Sequence, residues 1–154
     1  MNGRILGVAV LGAALLGGGL MYYMQVYAFY RPVTEEEAAI ALVPAGEETP
    51  VPVPVLDFDG IDANSSPLRF RACFSITPET RALDFAPYPQ AEPLNAPNWF
   101  SCFDAAELGA DLVAGRAEAW LSVPEIAPGV DRVVAVYSDG RAFAWHQLND
   151  SLRD

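Results

Sequence analysis

The chain has 154 residues, a formal net charge of −11, nine arginines with no lysine, two cysteines and one histidine. All twenty acidic residues lie beyond the amino-terminal 30, against eight of the nine arginines, which leaves residues 31–154 with twelve net negative charges. Such a surface repels nucleic acid and anionic lipid, so neither is an expected partner, and the length leaves room for one compact domain of about 100 residues.

From Ile5 to Met24 the chain carries twenty uncharged residues. A helix of that length covers the roughly 30 Å hydrocarbon core of a bilayer. Arg4 precedes the run, and Glu35, Glu36 and Glu37 follow it. Basic residues stay cytoplasmic, so the expected orientation is amino terminus inside and the remainder exported to the periplasm. The rival reading is a cleaved signal peptide. Met21-Tyr22-Tyr23-Met24-Gln25-Val26-Tyr27 places bulky residues where a peptidase needs small ones, which favours an uncleaved anchor. Helix is predicted to continue to Tyr30, with Pro32 as the stop, so that Tyr23, Tyr27 and Tyr30 share one face, either as headgroup anchors or as a docking stripe. Ala9, Ala13 and Gly17 recur every four residues, a spacing that permits self-association of the anchor.

Residues 1–31 are therefore read as the anchor, 32–54 as a tether rich in proline and glutamate, and 55–154 as the periplasmic domain. Val51-Pro-Val-Pro-Val55 is predicted to be a stiff spacer, or an edge segment whose alternating valines bury one side. Val55–Ile61 and Leu68–Ile76 alternate as strands, and proline-studded residues 78–97 read as a loop. Asp104 with Glu107 caps a short helix over Ala105–Ala114, with Leu108, Leu112 and Val113 facing inward and Gly115 as the stop. Ala117–Val123 is a third strand. Arg132–Tyr137 and Arg141–Trp145 form a hairpin around Asp139-Gly140. The expected fold is α+β: after the transmembrane helix, a mostly antiparallel sheet of four or five strands carrying one helix.

Two cysteines in an oxidising compartment point to a disulfide between Cys73 and Cys102. Thiol chemistry lacks the two-residue cysteine spacing it normally uses, although Cys102 precedes a helix. A metal site of Cys73, Cys102 and His146 lacks any closely spaced ligand pair, so no metal and no cofactor is expected. Asp57 to Asn64 faintly resembles a calcium loop, but Ile61 and Leu68 stand where oxygen ligands belong. His146 is the one histidine that could act as a base, and no Ser/His/acid arrangement surrounds it in the pattern. A non-enzymatic protein is the expectation.

Three stretches, Ser65–Phe74, Asn98–Glu107 and Asp131–Gln147, together with the short anchor resemble an uncharacterised family of single-pass membrane proteins from alphaproteobacteria of the Rhodobacter and Paracoccus kind. The resemblance implies the membrane topology and supplies no activity. The matching stretches hold the candidate interface residues Arg69 and Arg71, expected on one sheet face, and Trp99, an anchor if exposed. Three functions compete: an accessory or assembly protein of an inner-membrane complex, a periplasmic module binding or sensing a small ligand, and a thiol or metal chaperone.

Overall fold

The computed structural model describes residues 2–152, and the chain divides into two compact units between Tyr30 and Arg31. The first unit is the apolar helix α1, Gly3–Tyr23, followed by a π-helical turn over Met24–Ala28. None of its residues is buried within the protein. Together they are long and apolar enough to cross a membrane, a property shared by anchors and signal sequences.

The predicted helix does not reach Tyr30. Regular α-helix ends at Tyr23, and the wider π turn brings Tyr27 beside two earlier rings, stacked on Tyr23 at 5.9 Å and edge-on to Tyr22 at 6.4 Å. Tyr30 begins a strand instead, β1 (Tyr30–Val33), so the three tyrosines do not form one helical stripe.

The second unit continues with α2 (Glu35–Ala38), β2 (Ala41–Leu42), β3 (Val51–Pro52), β4 (Val55–Ala63), β5 (Arg71–Ile76), α3 (Pro78–Arg81), α4 (Ala105–Val113), β6 (Ala117–Ala127), β7 (Val130–Tyr137) and β8 (Arg141–Leu148). Six strands form the main sheet in the order β1-β4-β5-β8-β7-β6, and β2 pairs with β3 in a small second sheet. The fold is α+β with mostly antiparallel pairing, as expected. The sixth strand, β1, comes from the stretch read as the end of the anchor and the start of the tether.

Both faces of the sheet are covered. On one face Phe70, Phe74, Val134, Val136 and Ala144 pack against Val33, Ala38, Ile40 and Leu42. The tether reading of residues 32–54 therefore needs correction: this stretch is a covering layer of the domain, because without it those sheet residues face water. Thr34 starts it with a reciprocal capping box to Glu37; of the alternating valines, Val55 is buried and Val53 packs on the core, while Val51 is exposed. On the other face Cys73, Phe143, Trp145 and Tyr137 lie under the 87–103 loop and α4. Phe103 meets Phe143 and Trp145 edge-on at 6.2 and 6.4 Å.

Local signals in this region hold. The Asp104 carboxylate accepts from the backbone N–H groups of Ala106 and Glu107, and Gly115, at φ +69°, follows the helix where a left-handed residue is needed. Gly140, at φ +92°, closes the β7–β8 turn. The inward face of α4 is rotated from expectation. Leu108 and Asp111 are its buried residues, while Val113 is 91% exposed. Asp111 turns inward because Tyr137 donates to its carboxylate at 2.6 Å and Arg116 pairs with it. Those hydrogen bonds hold the Asp111 carboxyl below the usual carboxylate range.

Candidate functional site

A loop rich in proline has few N–H groups and leaves its carbonyls seeking donors. Arg71 supplies them: its Nε donates to Leu94 O at 2.7 Å and its Nη2 to Asn95 O at 3.1 Å. Gln147 works beside it, donating to Gln90 O at 3.0 Å and accepting from Glu92 N at 2.8 Å and from the Trp145 indole at 3.0 Å. Cys73 and Cys102 are joined covalently across the same loop. Arg71 is accordingly buried, its guanidinium turned onto the loop carbonyls. Strand β5 begins only at Arg71, so Arg69 lies in the preceding turn, half-buried.

Trp99 stands at the outer side of this braced loop, 40% exposed and edge-on to Phe100 at 6.3 Å. Phe100 is buried, so the loop presents one large aromatic while its neighbour fixes it from below. Tyr23 and Tyr27 are exposed on the first unit and Tyr30 is half-buried.

The opposite face of the sheet holds a cluster that the sequence pattern did not reveal. Arg132 on β7 and His146 on β8 are register partners. Arg132 Nε donates to His146 Nε2 at 3.0 Å, and its Nη1 donates to Ala38 O, the last residue of α2. His146 Nδ1 lies 2.7 Å from Pro67 O. A carbonyl can only accept and an arginine N–H can only donate, so the imidazole is neutral with its proton on Nδ1. Phe70 stacks on the imidazole at 4.7 Å, and the Arg132 guanidinium lies 4.2 Å from the centre of the same ring.

Electrostatics follow from this enclosure. Burial, aided by the neighbouring Arg132 charge, lowers the His146 pKa to about 4. Burial likewise lowers that of Arg132 to about 10, so it remains a cation at neutral pH. Asp62 sits nearby, and burial raises its carboxyl above the ordinary range despite the favourable charges of Arg31, Arg132 and Arg71. With both ring nitrogens engaged, His146 is not placed to act as a base. Nor does it face Cys73: Ala72 pairs with Ala144 and Cys73 with Phe143, so His146 and Cys73 project from opposite sides of the sheet. The three conceivable metal ligands are thus divided between a disulfide and the far face.

Above this cluster lies an open recess of about 560 Å³, bounded by Asp62–Asn64, Ser66, Pro67, Ile126, Ala127, Arg132 and His146. A family of unknown function (DUF6446) matches residues 40–154. The chain belongs to that family. Neither the curated proteins nor the solved structures contain a match. The family match takes in the disulfide, the braced loop and the Arg132–His146 pair, and the apolar helix lies outside it.

Proposed function

We propose that this protein is a membrane-anchored accessory or assembly protein of an inner-membrane complex, acting by protein–protein contact and without catalysis of its own. Its α1 helix stays in the membrane with the amino terminus cytoplasmic, and the unit from Arg31 onward works in the periplasm. The observation that carries this reading is a sheet packed solid on both faces and cross-linked, with Trp145, Leu42 and Val133 wholly buried, joined to an apolar helix that buries nothing in its own chain. A rigid body of that kind presents surface, and an aromatic held in place on a rigid loop is a suitable contact. The disulfide suits an oxidising compartment. The same filled core speaks against a deep apolar ligand chamber.

Gentle detergent extraction of the chain with a carboxy-terminal tag, followed by mass spectrometry of what co-purifies, tests the reading. A stoichiometric set of integral membrane proteins is expected. Recovery of the protein alone, in a detergent that preserves other complexes of the same membrane, contradicts it.

A further inference from the structure

Two opposite charges border the recess without meeting. Arg132 is only 6% exposed, and its hydrogen bonds are those from Nε and Nη1 to His146 and Ala38. Its Nη2 has no hydrogen-bond partner among the described residues, and none of the ion pairs there includes it. Neutral His146 cannot serve as the counter-ion. Across the recess Asp62 spends Oδ1 on the Ala63 N–H at 2.8 Å and leaves Oδ2 unbonded. The two side chains lie beyond ion-pair distance, yet near enough for each charge to act on the other.

Among the described residues no buried side-chain nitrogen or oxygen lacks a partner, so Arg132 Nη2 and Asp62 Oδ2 face the water of the recess, where a ligand can replace that water with charge-assisted hydrogen bonds. A monoanion placed on Arg132 is repelled by Asp62, and a simple amine placed on Asp62 leaves Arg132 unpaired. A molecule carrying an ammonium and a carboxylate on one carbon offers a partner to both groups. The recess also offers the Ser66 hydroxyl, whose oxygen accepts from Leu68 N and whose proton remains to be donated. Ala63, Pro67, Ile126 and Ala127 supply apolar walls. Its volume of about 560 Å³ is ample for a small metabolite.

We propose that this recess binds a small aliphatic zwitterion of the α-amino acid class, with the ligand carboxylate on Arg132 Nη2 and its ammonium on Asp62 Oδ2. The site neither requires nor replaces the accessory role, since it lies on the opposite sheet face from Trp99 and its loop.

Calorimetric titration of the purified full chain in detergent, near neutral pH, compares L-valine with isovalerate, which lacks the ammonium, and isobutylamine, which lacks the carboxylate. Valine is expected to bind at least about tenfold more tightly than either, the value of one charged hydrogen bond. Asp62→Asn keeps an oxygen for the Ala63 N–H and hence the fold, which an unchanged melting temperature without ligand verifies. In that variant valine binding should fall to the isovalerate level. Equal binding of the three probes, no binding of valine, or valine binding untouched by Asp62→Asn overturns the proposal.

Discussion

Replacing both Cys73 and Cys102 with serine is expected to destabilise the domain by about 3.5 kcal/mol and to lower its melting temperature by on the order of 10 °C. The link spans 29 positions of sequence, and opening it releases a long loop in the unfolded chain. The folded side also loses, because the loop carries Phe100 and Phe103 onto the sheet and is otherwise held chiefly by Arg71 and Gln147. Tryptophan fluorescence of the full chain in detergent reads the transition, since Trp120 and Trp145 are both buried in this unit. A loss below about 1 kcal/mol would mean that the side-chain bonds suffice to hold the loop.

Acidification is expected to destabilise the same unit through His146. Its pKa falls from the ordinary 6.5 to about 4 on folding, so between those values the unfolded chain binds a proton that the folded chain refuses. Stability is therefore undiminished above pH 6.5 and is lost as the pH falls to about 4, to the extent of about 3 kcal/mol. Asp62 acts in the opposite sense, because its raised carboxyl takes up a proton earlier in the folded state. Glu37, Glu79, Asp111 and Asp139 are lowered and give way at the acid end of the range. Comparing chemical denaturation of wild type and His146→Gln across pH 7 to 5 isolates the histidine, because ordinary carboxylates hardly titrate there. The variant should lose most of the slope in that interval; parallel curves would show that the imidazole is not buried as a neutral group.

Features set by neighbouring residues were legible in the sequence. The Asp139-Gly140 turn and the Asp104 cap each depend on a few adjacent positions and appear where expected, and Val55–Ile61 is a strand, although a register shift between Leu56 and Asp59 breaks its alternation and leaves Leu56 exposed. The disulfide was legible because two cysteines were read as lying in an oxidising compartment, which leaves one pair to join. What failed depends on partners distant in sequence. Prolines at 44, 50, 52 and 54 describe a local backbone preference, and it takes the exposed sheet face provided by β5, β7 and β8 to turn that stretch into a cover. Arg71 reads as a surface charge until the loop more than twenty residues later presents its carbonyls. Arg132 and His146 are fourteen positions apart and meet only through hairpin register. That register was predictable, since the hairpin was. The missing signal was Phe70, which stacks on the imidazole while the guanidinium covers the same ring and which belongs to neither strand.

A photoreactive amino acid in place of Trp99, activated in intact membranes, tests the central claim most directly. The same substitution at Glu47, exposed in the loop between β2 and β3, serves as the control. An accessory protein that works by contact yields one discrete, abundant adduct with an integral membrane protein from position 99 and none from position 47. Absence of an adduct at position 99, or the same diffuse pattern at both positions, would contradict the account.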